Sequence, residues 1–248
     1  MVVFYEPILV LLSVVVAIIG SLTSLAVNSG WHNVDENESW EASFALANGG
    51  LIMGTTIWSM HFTAMMAVQF PVLINYNIVE TILSIVIAMS VTAMGLFIVS
   101  NRRLGYFSIP GAGVLMGLGI ASMHYLGMGA IRGCGLAYDL TLVAASIAIA
   151  IVASMAALWF AFYKRSIVTT LAGGVVQGLA IASMHYTAMA ATNFIPLDAP
   201  AGLTTPLFTQ NLLAFMIAGA ILVVCTGNLS LLGFMSLQQK RLQQNRLV

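Results

Sequence analysis

Seven apolar runs divide this chain from end to end, each long enough to cross a hydrocarbon core that takes about 20 helical residues. They lie near Pro7 to Val27, Ala45 to Val68, Ile78 to Ser100, Ser108 to Ile131, Leu140 to Tyr163, Ile167 to Thr192 and Asn211 to Phe234. Lipid offers no water to a stray N–H or C=O, so runs of this kind fold as helices packed on one another. Composition agrees: the 248 residues are 60% hydrophobic and 6% charged, where a soluble domain carries about 25% charged residues. The expectation is an all-α integral membrane protein, a seven-transmembrane helix bundle solvated by the lipid bilayer. Glu6 and no Lys or Arg precede the first run, which reads as an uncleaved helix rather than a signal peptide. A formal net charge of zero and the lack of a basic stretch argue against a nucleic-acid partner. Cys134 falls in a loop and Cys225 inside the last run, so a disulfide between them is not expected.

Basic residues orient the bundle. Arg102 and Arg103, Lys164 and Arg165, and Lys240, Arg241 and Arg246 follow the third, fifth and seventh runs, and the positive-inside rule makes all three places cytoplasmic. The N-terminus is then outside and the C-terminus cytoplasmic. The acidic first loop, His32 to Glu41, falls inside, which the rule tolerates because acidic residues count little in it.

One phrase is written three times. Ser59-Met60-His61-Phe62, Ser122-Met123-His124-Tyr125 and Ser183-Met184-His185-Tyr186 each continue through one variable and one small residue to Met65, Met128 and Met189. Gly50 and Gly54, Gly113 and Gly117, and Gly174 and Gly178 repeat at fixed offsets upstream, as do Ile57, Ile120 and Ile181. On a helix these positions form one stripe roughly 80° wide. The copies lie on the second, fourth and sixth runs, so all three helices point the same way, and pseudo-threefold packing of motif helices 2, 4 and 6 follows. The glycine faces are expected to close on one another in the inner half. His61, His124 and His185 then converge near the outer surface, with the methionines one turn, about 6 Å, further out.

Three imidazoles and three thioethers at one level point to a metal. Imidazole suits copper, zinc, iron and nickel, whereas thioether sulfur favours Cu(I), so copper precedes zinc. No carboxylate or thiol repeats with the motif as a zinc set would ask. A lone membrane histidine often serves only to link helices, and methionine is a common core filler. Three copies in one register shift the reading to a metal site of His61, His124, His185, Met65, Met128 and Met189. Met60, Met123 and Met184 lie about 100° from the stripe and read as gap fillers. Ser59, Ser122 and Ser183 face nearly the opposite way, where each hydroxyl can bond a carbonyl one turn earlier. Phe62, Tyr125 and Tyr186 read as interfacial aromatics. Because Phe62 lacks a hydroxyl, a phenol is not needed in all three copies.

Met184-His185-Tyr186-Thr187 is the full signature of the MHYT domain, with Met60-His61-Phe62-Thr63 and Met123-His124-Tyr125-Leu126 as single-letter variants. The chain resembles that family of seven-helix bacterial membrane sensors from its first run to its seventh. The resemblance implies a module of the bacterial cytoplasmic membrane that binds copper through its histidines and senses a diatomic gas such as O2, CO or NO. It also implies a cytoplasmic signalling output, often of the cyclic di-guanylate kind. On this reading residues 1–234 are the sensor domain. Residues 235–248 are a cytoplasmic tail or the stub of a linker helix to an output domain or a separate signalling protein, and an oligomer is open.

Two other functions compete. A haem held between two histidines would make an electron-transfer protein, but three equivalent histidines on glycine faces do not suit a macrocycle. A copper carrier would repeat Met or His along the membrane depth, whereas the inner halves of these faces read as Gly and Ile. No repeated carboxylate pair, nucleophile elbow or phosphate loop points to an enzyme. Asn48, Gln177 and Asn228 are expected to bond between helices. Glu80 reads as a hydrated interfacial carboxylate or a lure for cations, Arg132 as a partner of Asp139, and His32 as a solvated side chain. The loop Asn193 to Gln210 reads as a cap over the site or a plain connector.

Overall fold

The computed structural model describes residues 2–30, 39–100, 108–163, 166–196 and 207–222. Seven helices build it: α1 (Pro7–Gly30), α2 (Ser39–Met66), α3 (Ile78–Ser100), α4 (Ser108–Gly129), α5 (Leu140–Tyr163), α6 (Ile167–Ala190) and the described part of α7 (Gln210–Leu222). Five of them, α1, α3, α4, α5 and α6, are long and apolar enough to cross a membrane as described. Helix α2 starts earlier than its apolar run, taking Ser39 to Glu41 out of the acidic loop. His32, Cys225, Asn228, the basic pairs and residues 235–248 lie outside the described residues.

Local chemistry sets several helix starts. Ser166 and Thr169 form a reciprocal capping box at α6. Asp139 Oδ1 accepts from the backbone N–H of Thr141 and of Leu142 at the start of α5, and Asn77 Oδ1 accepts from that of Glu80 at α3. Asp139 is therefore a helix cap. The expected Arg132–Asp139 pair gives way to a two-pronged Arg132–Glu80 pair, Nη2 lying 2.9 Å from both carboxylate oxygens. Glu80 is thus paired while staying partly open to solvent.

Helices α1 to α6 close into a ring in which each packs on its two sequence neighbours and α6 returns to α1. Their outward faces carry exposed Ile8, Leu11, Ile19, Val79, Val152 and Val176, as a lipid boundary requires. The glycine pairs do not meet one another. A Cβ on Gly54 would fall 2.5 Å from Met89 Cα of α3, one on Gly117 2.5 Å from Ile151 Cα of α5, and one on Gly178 2.6 Å from Ile18 Cα of α1. Each pair seats a motif helix on its odd-numbered neighbour, because small residues go where backbones come closest.

Three small sheets join the loops at one end of the bundle: β1 (Phe4–Tyr5) with β2 (Val68–Gln69), β3 (Asn75–Asn77) between β4 (Ile131–Arg132) and β7 (Leu207–Phe208), and β5 (Cys134–Tyr138) with β6 (Thr192–Pro196). All pairings are antiparallel, and the longest matches Cys134–Tyr138 against Pro196–Thr192. The first part of the 193–210 loop is thus a paired strand and belongs to a cap. Gly133, at φ 115°, makes the left-handed turn between β4 and β5.

Candidate metal centre

His61, His124 and His185 each stand five residues before the end of α2, α4 and α6, which brings them to one level under the cap. The rings meet edge to face, with centroids 4.8 Å (His61–His124), 5.1 Å (His61–His185) and 5.0 Å (His124–His185) apart. All three are buried, at 1%, 0% and 0% exposure. His61 Nδ1 lies 3.1 Å from His124 Nδ1 and 3.1 Å from His185 Nδ1.

This arrangement is chemically incomplete. A neutral imidazole nitrogen carries one proton or one in-plane lone pair, so His61 Nδ1 can serve one of its two close contacts as a linear hydrogen bond. The other contact is then the weaker, bent arm of a three-centre bond or, where the two nitrogens are in the same state, a meeting of two protons or two lone pairs. The three Nε2 atoms are buried without a partner among the described residues. Each unmet buried group costs about 1–3 kcal/mol, and an ion on the Nδ1 side leaves that cost in place, because Nε2 then carries the ring proton. An ion among the Nδ1 atoms removes the conflict there, since all three then turn lone pairs to one centre. Donors on a tetrahedral ion with bonds of about 2.0 Å stand roughly 3.3 Å apart, close to the spacing observed. The residues present therefore fit a metal. The same edge contacts leave no gap for a porphyrin between any two of the rings.

Small residues make this closeness possible. A Cβ on Gly127 would lie 2.5 Å from His61 Nε2, so the α4 backbone abuts the imidazole of α2. Gly127 occupies the small position of its copy, and Ala64 and Ala188, its counterparts, are fully buried. The pattern carried this signal; its meaning needed the neighbouring helix. Met65, Met128 and Met189 are buried one turn nearer the cap, at 0%, 0% and 3% exposure. Met60, Met123 and Met184 fill the core as expected.

The aromatics do more than mark an interface. Tyr125 shares a hydrogen bond with Ser146 of α5, and Tyr186 with Ser13 of α1, both at 2.8 Å. The first copy solves the same problem differently: Trp58 Nε1 donates to Ser84 Oγ of α3 at 3.0 Å, while Phe62 packs edge-on to Tyr76 of the cap. Burial pushes the Tyr76 phenol above its usual range. Ser122 and Ser183 donate to the carbonyls of Leu118 and Ala180, as expected. Ser59 does not, and its hydroxyl is buried without a partner among the described residues.

The chain matches the family model MHYT, "Bacterial signalling protein N terminal repeat", in three stretches, 54–111, 117–174 and 178–247. It is 39% identical over 196 residues to the bifunctional diguanylate cyclase/cyclic di-GMP phosphodiesterase MucR of Pseudomonas aeruginosa, covering 77% of this chain and 28% of that protein. It is 33% identical to the signaling protein YkoW of Bacillus subtilis, over 80% of this chain and 25% of the relative. The cyclic di-GMP phosphodiesterase NbdA of Pseudomonas aeruginosa is also 33% identical, over 83% and 26% respectively. The chain thus spans about a quarter of the length of these curated relatives. No solved structure matches it.

Proposed function

The chain belongs to the MHYT family of bacterial signalling proteins, and we propose that it is a copper-binding input module that senses a diatomic gas, redox state or copper itself. The observation that carries this reading is the buried meeting of the three imidazoles, with His61 Nδ1 3.1 Å from the Nδ1 of His124 and of His185. Neutral imidazoles suit copper, and Met65, Met128 and Met189 supply thioethers on the cap side to favour Cu(I). Copper in such a set contributes a one-electron couple and an open position for a small ligand. The protein's part is to hold the three rings at one level, exclude water with the cap, and couple ring position to the helices. Because each histidine belongs to a different helix, a change in their spacing moves α2, α4 and α6 relative to one another. The far ends of those helices, and the 235–248 tail, carry the change to a cytoplasmic output of the kind the Pseudomonas relatives are named for. The cap faces outward on this reading, as the basic residues predict.

Elemental analysis of detergent-purified protein, made with copper present, tests the proposal beside a variant with His61→Ala, His124→Ala and His185→Ala. Near-stoichiometric copper lost in the variant is the expected result. Gas binding follows from the absorbance and infrared spectra of the reduced protein under CO. A well-folded wild type that takes up no copper, or a variant that keeps it, overturns the reading.

A further inference from the structure

Two turns below the histidines, the same three helices carry a second set of possible ligands, two thioethers and an amide. Met53, Met116 and Gln177 each stand eight residues before the histidine of their helix, so they are threefold counterparts. All three side chains are buried, at 5%, 3% and 5% exposure. Gln177 Nε2 reaches from α6 to Met53 Sδ of α2 at 3.4 Å. A cavity of about 20 Å³ is lined by all three together with Ser24 and Thr92. A second cavity of the same size, walled by Met116, Gln177 and the Ile57, Ile120 and Ile181 ring, lies alongside it.

Gln177 Oε1 has no hydrogen-bond partner among the described residues. Of the hydroxyls nearby, Ser24 donates to the Gly49 carbonyl and Thr92 to that of Gly50, while that of Ser154, on the wall of the second cavity, has no partner among the described residues. Gly95 of α3 keeps open the place of the Met116 sulfur, from which a Cβ there would be 2.9 Å distant. A water, which needs about 10–15 Å³ and two to four polar partners, would find Gln177 Oε1 and the Ser24 and Thr92 oxygens, whose lone pairs can still accept. The two thioethers favour a soft cation in its place, with the amide oxygen as a neutral third donor. All three donors are neutral, and the cost of burying charge favours a single positive charge.

We propose that Met53, Met116 and Gln177 form a second site, separate from the histidine centre, that binds a soft monovalent cation of the Cu(I) and Ag(I) class. The Ile57, Ile120 and Ile181 ring separates the two sites along the pseudo-threefold axis. The inference stands whether or not the histidines hold copper.

Ag(I), which cannot change oxidation state here, is the probe. Full-length protein in detergent with Cys134→Ser and Cys225→Ser removes the thiols that would compete. In that background the triple histidine-to-alanine variant is expected to retain about one Ag(I) per chain after desalting. Adding Met53→Leu and Met116→Leu, at nearly constant volume, should lower the affinity at least tenfold, whereas exposed Met94→Leu leaves it unchanged. With the histidines present, the same double leucine variant should hold one ion fewer than its parent, which keeps the test decisive if the triple variant does not fold. Thermal unfolding of each variant confirms its fold. No Ag(I) in a folded triple variant, retention after the leucine changes, or an equal loss with Met94→Leu overturns the site and leaves the histidine centre to its own test.

Discussion

Gly127 limits how close the imidazoles can stand. Its missing Cβ is where His61 Nε2 sits, so Gly127→Ala should push the ring off the cluster. Overpacking of this kind costs about 1–3 kcal/mol. The expected outcome is a lower unfolding temperature together with reduced copper content, read by thermal melts and elemental analysis of one preparation. Tyr125 and Tyr186 make the opposite case, since their hydroxyls bond Ser146 and Ser13 and leave the imidazole nitrogens alone. Changing both to Phe should cost about 0.6 kcal/mol per bond, the average for polar contacts between membrane helices, and leave copper content unchanged. A loss of copper in that double variant would give the phenols a role at the centre. The three-letter core of each motif was legible as a metal candidate from spacing alone. Which atoms face each other was not, because a helical repeat fixes angular position and leaves χ angles to the packing.

Each motif helix behaves as half of a pair. α2 sits on α3, α4 on α5 and α6 on α1, each through a glycine step and an aromatic-to-serine bond. Gly54→Val should therefore separate α2 from α3 at Met89 and unfold the bundle at markedly lower temperature, by the equivalent of about 3 kcal/mol or more. Arg132 and Glu80 tie β4 to the start of α3 at 29% and 32% side-chain exposure. An ion pair so open to solvent contributes about 0.5–1 kcal/mol. Glu80→Gln should accordingly shift the melt slightly, more at low salt than high, without removing copper. Burial raises the Cys134 thiol above its ordinary value, consistent with its place on β5 inside the cap. The strands escaped the sequence reading because they are two to five residues long and carry no alternation longer than a turn. What creates them is the need to pair backbone groups beside an apolar core.

At the scale of the molecule, three parallel helices end beneath one cap, and each helix end carries roughly half a negative charge. The starts of α1, α3 and α5 lie at the same end with the opposite sign, so the helix dipoles largely offset one another there. Orientation can be tested from outside the cell. Leu73, in the β2–β3 loop of the cap, is 86% exposed. With the cap outward, Leu73→Cys should react on intact cells with a membrane-impermeant maleimide, whereas labelling only after lysis would place the cap in the cytoplasm. The number of helices, their lipid-facing character and the shared level of His61, His124 and His185 were set by the sequence itself, since bilayer thickness and helical rise turn residue spacing directly into depth. Tertiary structure decided the rest: that the glycines seat odd-numbered neighbours, that Arg132 chooses Glu80 over Asp139, and that Met53, Met116 and Gln177 line one cavity. Those outcomes depend on how six helices rotate about their own axes as they close a ring, and the contacts that fix the rotation join residues far apart in the chain.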